Sequence, residues 1–219
     1  MKAPYCDPTE TITTRIDSLI NTMTIQEKIS CVHSGGCSIG GIGIPMQDLW
    51  RESLHGLRYN CARDVDGRGD ANPVCATSFP HAQLLAASFN RSAWTAVGDA
   101  ISSEARGFYN LWMLGNSTES SHALSFFAPD VNLCRDPRWG RCVEVPGEDP
   151  FLTGEYGRHY VRAMQAQDEH GFYKTMCNLK HYNSYDVERG SDSQGHGLPY
   201  ERSSFNAVLS PRDMVETYL

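Results

Sequence analysis

The run from Leu124 to Pro150, L-S-F-F-A-P-D-V-N-L-C-R-D-P-R-W-G-R-C-V-E-V-P-G-E-D-P, restricts the fold more than any other stretch of the chain. An apolar, aromatic segment from Leu124 to Ala128 breaks at Pro129. A loop dense in Arg, Asp, Pro and Gly follows. Asp149 and Pro150 then read as N-cap and first residue of a helix whose apolar positions are Leu152, Tyr156, Tyr160, Val161 and Met164. Strand, long loop and helix in that order form the unit of a parallel α/β protein, in which the loops at the carboxyl ends of strands carry ligands. Arg135, Arg138 and Arg141 share this loop with Asp136, Glu144 and Glu148. The two readings are a site for something polar and a solvated loop pinned by Arg–Asp pairs.

The rest of the chain punctuates clearly. Ile12, Ile16, Leu19, Ile20 and Met23 recur at helical spacing. Thr24-Ile-Gln-Glu27 is a capping box for a second, short helix through Ile29 and Val32. Residues 35–43 are glycine-rich but lack the G-K-[ST] ending of a phosphate loop, so they read as a connection. The polar stretch 59–73 reads as a surface loop, with Cys61 and Cys75 placed to tie it down. Leu84, Leu85 and Phe89 give one helix, Asn90 a break, and Trp94, Val97, Ile101 and Ala105 another; these are core positions. Asn110 to Ser121 reads as a loop, Lys174 to Leu179 as a short buried strand ending at Lys180-His181, and Tyr182 to Glu201 as a polar loop. Ser210-Pro211-Arg212-Asp213 opens a helix that has made barely two turns at Leu219. Three strand–loop–helix units and a helix cut at its start predict one domain over 1–219: a partial α/β barrel of the (β/α)8 type, interrupted before its last strands, because complete barrels run to about 250 residues.

Charge narrows the partners. A net charge of -7 over 219 residues argues against nucleic acid and anionic membrane surfaces, which need an excess of Lys and Arg. No apolar run approaches the roughly 18 residues of a membrane span, and no secretory h-region follows Lys2. The eight cysteines, Cys6, Cys31, Cys37, Cys61, Cys75, Cys134, Cys142 and Cys177, are many for a cytosolic enzyme. The sequons at Asn90 and Asn116 point the same way, to an extracellular or secretory/lysosomal compartment. A zinc site is the competing reading of the cysteines, but no C-x2-C or H-x3-H pair occurs, and no metal or cofactor is expected.

R-D-P-R-W-G-R-C-V-E-V-P-G-E-D-P followed by F-L-T-G-E-Y-G, with W-R-E-S-L-H-G-L at Trp50 to Leu57 upstream and C-N-L-K-H-Y at Cys177 to Tyr182 downstream, resembles glycoside hydrolase family 3. These are retaining, exo-acting β-glucosidases and β-xylosidases. Three ordered motifs over most of the chain make the resemblance specific. It implies that Glu52, Arg141, Lys180 and His181 hydrogen-bond sugar hydroxyls in the first subsite, and Arg202, in R-x-x-F-N-A, matches an Arg of xylosidase-like members. It implies a disulfide between Cys134 and Cys142. His55, Arg135 and Arg138 read as structural, the arginines paired with Asp136, Glu144 or Glu148.

Retaining hydrolysis needs two carboxyl groups about 5 to 5.5 Å apart across the glycosidic bond. In the family the nucleophile is an Asp on a later barrel strand and the acid/base usually comes from a second domain, so both are expected beyond Leu219. The sequence is thus identified as the substrate-holding part of an exo-β-glycosidase, with terminal β-xylosyl residues as substrate, a carbohydrate as partner, and the remainder of the barrel and a second domain still to be supplied. A β-glucosidase is the alternative within the class. A non-catalytic sugar-binding protein is the alternative outside it.

Overall fold

The computed structural model describes residues 3–32, 39–42, 51–58, 75–114, 124–191 and 197–218. The chain falls into two compact units, Met1–Trp50 and Arg51–Leu219.

In the first unit, α1 (Ile12–Thr22) is capped by Thr11, whose hydroxyl accepts from the Thr14 N–H at 3.1 Å. The expected capping box forms in α2 (Ile25–Ser30): Thr24 Oγ1 accepts from the Glu27 N–H at 3.3 Å, and Glu27 Oε2 accepts from the Thr24 N–H at 2.7 Å. Each bond satisfies a donor that the first helical turn cannot. Of the glycine-rich stretch 35–43 only residues 39–42 are described, with a 3-10 turn at Gly40–Ile42, and Trp50, the loop 59–73 with Cys61, and the sequon at Asn116 lie outside the described residues.

The second unit is α/β. Its centre is a parallel pair, β1 (Ser125–Phe126) with β2 (Met176–Cys177), in the register Ser125 to Met176. Parallel bridges lengthen the arrangement: Arg51 pairs with Phe126 on one side of β1, and Asp130 pairs with Lys180 on the other. Three chain segments therefore run the same way, with Phe126 fully buried between them. The hydrogen-bonded strands are shorter than the apolar runs predicted, because Pro129 interrupts the ladder and Leu179 is exposed.

Helices cover this sheet. The first helix, α3 (Ala82–Ala87), ends at its C-cap Ser88, and only Leu85 of its expected core positions is buried: Leu84 is 66% exposed on the outer face and Phe89, past the helix end, is 72% exposed. Asn90 caps α4 (Arg91–Met113), its side-chain oxygen accepting from the Ala93 N–H at 3.1 Å. The loop expected from Asn110 begins one turn later, since α4 runs on to Met113. Asp149 caps α5 (Pro150–Met164), which crosses over from β1 to β2 as a parallel connection requires. Trp94, Ile101, Tyr156, Tyr160 and Met164 from α4 and α5 bury almost completely against Phe126. The two helices approach closely at Gly98, where a Cβ would stand 3.0 Å from both the Ala163 Cβ and the Tyr160 carbonyl oxygen.

The polar stretch after Tyr182 is not all loop. Arg189–Ser191 (β3) pairs antiparallel with Gly197–Glu201 (β4). Glycine, serine and proline in these strands conceal the β-branched alternation by which a strand is read. The predicted last helix is α6 (Pro211–Thr217), capped by Ser210. No helix among the described residues is long and apolar enough to cross a membrane.

Candidate functional site

Parallel strands deliver their following residues to one end of the sheet, and the candidate site residues come from three such ends. Glu52 follows the bridged Arg51, Asp130 follows β1, and Lys180 and His181 follow β2. The long loop after β1 contributes Arg141 and Glu144 through a short 3-10 turn, Cys142–Glu144. A disulfide joins Cys134 to Cys142, with their Cα atoms 5.1 Å apart, and Trp139, Val145 and Tyr185 pack around it. The loop is thereby a fixed part of the scaffold.

Lys180 is only 6% exposed, and its ammonium donates to Glu52 Oε2 at 2.8 Å. Its Nζ also lies 3.7 Å from Glu144. Arg141 grips Glu144 with two parallel bonds, from Nε and from one terminal nitrogen, each 2.6 Å long. Its other terminal nitrogen donates to the Tyr185 hydroxyl at 3.1 Å and to Glu188 at 3.4 Å. Glu52, Arg141, Glu144 and Lys180 line one cavity of about 520 Å³, together with His55, Thr77 and their neighbours. Burial pulls the Glu144 carboxyl upward, but the bonds from Arg141 and the charges of Arg141, Lys180 and His181 outweigh it and hold Glu144 below its ordinary range. The same bonds hold Arg141 above its ordinary value against the opposing effect of burial. Arg141 and Glu144 therefore remain a fixed ion pair at neutral pH.

Of the five residues singled out from the sequence, Glu52, Arg141 and Lys180 meet in this cavity. His181 and Arg202 are not among those lining it. The His181 backbone N–H donates to Asn132 Oδ1 at 2.7 Å, and its Nδ1 faces Asn132 Oδ1 at 3.0 Å and Asp130 Oδ2 at 3.3 Å. Two acceptors before Nδ1 assign the proton to that nitrogen. His181 lines a second cavity, of about 260 Å³, with Asn132, Arg135 and Thr153. Arg202 is more than half exposed and reaches the cluster through the Tyr185 hydroxyl, to which it donates at 2.9 Å. Tyr185 in turn donates to Glu188 and sets its ring edge-on to His181 at 4.7 Å.

Glu144, Tyr185, Glu188, Asp130 and Asn132 were not assigned to the site from sequence. Only Glu144 left a signal, its spacing of three residues from Arg141. The partners expected for the neighbouring arginines divide: Arg138 pairs with Asp136 at 2.5 Å, whereas Arg135 pairs with Asp186 at 3.3 Å. His55 bonds the Phe79 carbonyl oxygen at 3.1 Å through Nδ1, a structural role. Cys31 and Cys75 are also disulfide-bonded, while Cys6 and Cys177 are free thiols. Burial pushes the Cys177 thiol up to about 12, so it is inert. Among the described residues no group of His, Cys, Asp or Glu could hold a metal.

The model of the glycosyl hydrolase family 3 N terminal domain matches residues 51–209. This chain belongs to that family. It is similar to "Beta-xylosidase/alpha-L-arabinofuranosidase 1" of Medicago sativa subsp. varia, 35% identical over 217 residues that cover 98% of this chain and 26% of the relative. It is similar also to "Beta-D-xylosidase 3" of Arabidopsis thaliana, 36% identical over 98% of this chain and 26% of the relative. The chain thus spans about a quarter of the length of these curated relatives. Among solved structures, a GH3 exo-beta-xylosidase in complex with a xylobiose aziridine activity-based probe is 31% identical, with a TM-score of 0.70 over 84% of this chain and 22% of that one. Beta-glucosidase 3B from Thermotoga neapolitana shares the fold at 24% identity and a TM-score of 0.61, over 80% of this chain and 24% of that one.

Proposed function

We propose that this chain forms the sugar-holding part of a retaining exo-β-glycosidase acting on terminal β-xylosyl residues. The observation that carries the reading is the wall of Glu52, Lys180, Arg141 and Glu144 at the carboxyl ends of the parallel strands. Neighbouring sugar hydroxyls both donate and accept. A carboxylate beside fixed cations satisfies both functions with charge-assisted bonds, which strengthen as an oxocarbenium-like transition state develops. Glu52 supplies an acceptor; Lys180 and Arg141 supply donors. The relatives named as β-xylosidases support xylose over glucose.

In this proposal residues 1–219 are an incomplete (β/α)8-type barrel, and the nucleophilic Asp and the acid/base Glu come from sequence other than that described above. A general acid needs a carboxyl held above its ordinary range, and Glu144 is held below it. On this reading residues 1–219 alone bind sugar without turning it over, because both catalytic carboxyl groups are supplied by other sequence. The disulfide at Cys134–Cys142, the further bonded cysteines and the exposed sequon at Asn90 support a secretory or extracellular setting.

Titrating the 219-residue protein with xylose, arabinose and glucose, followed by NMR shifts, tests the reading. Xylose is expected to bind most tightly, and Arg141→Ala to weaken it about tenfold to a hundredfold, as loss of one charge-assisted contact of about 1.5 to 3 kcal/mol predicts. Absence of binding to all three sugars sinks the proposal. Turnover of an aryl β-xyloside by this chain would place a catalytic carboxylate within it.

A further inference from the structure

Two cations stand on the same wall of the main cavity, and Glu52 touches only one of them. Lys180 donates to Glu52 at 2.8 Å, and no bond from Arg141 to Glu52 is present among the described residues. What lies between the cations is Glu144, which takes two bonds of 2.6 Å from Arg141 and stands 3.7 Å from the Lys180 ammonium. We propose that Glu144 is a positioning residue of this sugar site, aiming the guanidinium of Arg141 and screening it from Lys180. The inference rests on the sugar-holding reading above and adds to it a residue whose task is the aim of another.

The donor count gives the reason. A guanidinium has five N–H donors in a rigid fork. In Arg141 two go to Glu144, one to Tyr185 and one to Glu188, leaving one uncommitted among the described residues. Because the fork is planar, bonds to Glu144 on one edge and to Tyr185 and Glu188 on another fix the direction of the remaining donor. Lys180 has three donors and gives one to Glu52. Glu144, beyond hydrogen-bond length at 3.7 Å, takes none but offsets the charge. Without Glu144, two edge donors of Arg141 lose their acceptor, and Arg141 and Lys180 repel across a half-buried wall. Arg141 would then turn toward Glu188, which already lies 3.4 Å away.

The test is a double-mutant cycle read in two ways. Xylose affinity is measured by NMR titration for the parent, E144Q, R141A and the double variant, alongside thermal midpoints and the slowly exchanging Nε–H resonance of Arg141, which R141A assigns. E144Q keeps the side chain's shape and removes its charge. Expected are about tenfold weaker binding in E144Q, no further loss when E144Q is added to R141A, and loss of the protected Nε–H resonance in a further variant, E144L, which removes both acceptor oxygens. Unchanged affinity in E144Q overturns the proposal, as does a loss that adds in full to that of R141A, the mark of general structural damage. A parent that binds no sugar removes the sugar-holding reading, and with it the role assigned here. The Nε–H resonance separates the two failures: an unchanged shift and exchange rate in E144L shows that Glu144 does not hold Arg141, whatever the ligand.

Discussion

The seam between α4 and α5 and the charged wall at the strand ends are both shielded from water, and they do so by opposite means. Trp94 is 2% exposed and Lys180 is 6% exposed. In the seam, Trp94 meets Tyr156 edge-on at 5.6 Å, and Ile101, Ala105 and Met164 fill the space behind with apolar surface whose burial is favourable in any orientation. In the wall, each charge is removed from water and recovers that cost only through paired partners at fixed angles. The seam therefore carries stability, and the wall carries geometry. A change in the seam should lower the melting temperature and leave the site's chemistry alone, whereas a change in the wall should alter the site's chemistry at a smaller cost in stability.

The largest effect should come from Trp94→Ala. The indole fills the seam and its Nε1 donates to the Leu85 carbonyl oxygen at 2.7 Å, so truncation opens a cavity and removes one bond to an oxygen that Ser88 continues to hold. A loss of about 3 to 5 kcal/mol is expected in chemical denaturation. Sugar affinity of the fraction that remains folded should be unchanged. A variant that kept full stability but lost binding would reverse the assignment of roles.

The disulfide joins the two regimes, because it is a covalent constraint on the loop that bears Arg141 and Glu144. Replacing both Cys134 and Cys142 by Ser should cost roughly 2 to 3 kcal/mol in the chain-entropy model for a loop of this length. Unlike Trp94→Ala, it should also weaken sugar binding, since Arg141 directly precedes Cys142. Peptide mapping that recovered both residues as free thiols from protein made under oxidising conditions would remove the basis of this expectation.

A finer comparison lies within the seam. Tyr156 and Tyr160 stack at 5.9 Å and both are buried, but their hydroxyls differ. Tyr160 donates to the Ser53 carbonyl oxygen; the Tyr156 hydroxyl has no partner among the described residues. Tyr160→Phe should cost about 1 kcal/mol, because a buried acceptor is orphaned, while Tyr156→Phe should be neutral or stabilising. Equal losses in denaturant titrations of the two variants would show that the Tyr156 hydroxyl is bonded after all.

The difference between seam and wall also explains what could be read in the sequence. Helix starts were legible because their chemistry is local: Thr24 with Glu27, Asp149 before Pro150 and Ser210 with Asp213 each complete a cap within three residues. The seam was legible from the helical period of Trp94, Val97, Ile101 and Ala105. The wall follows no period, since Glu52 and Lys180 bond across 128 residues of sequence. Motif resemblance brought those two and Arg141 forward. It gave no sign that Tyr185 would bridge Arg141 and Arg202, or that Asn132 and Asp130 would hold His181 at a neighbouring cavity. Partner choice is settled by distances of a few ångströms that only the packed strands and loop define.

The smallest effect expected isolates burial as the variable. Arg212 and Glu216 of α6 form an ion pair at 3.0 Å, with side chains 81% and 58% exposed, whereas those of Arg141 and Glu144 are 20% and 24% exposed. Both pairs join the same two residue types within one turn of chain. On α6 water screens the charges and the side chains lose entropy in meeting, so Arg212→Gln should cost only about 0.3 to 0.5 kcal/mol, and less in high salt. In the wall, E144Q leaves Arg141 half-buried without its bidentate partner, and its cost should exceed that of Arg212→Gln and resist salt. Denaturant titrations of both variants at low and high ionic strength decide the matter. Equal costs with equal salt dependence would mean that the wall is as wet as the helix surface, and the contrast drawn between a geometric wall and a solvated face would fail.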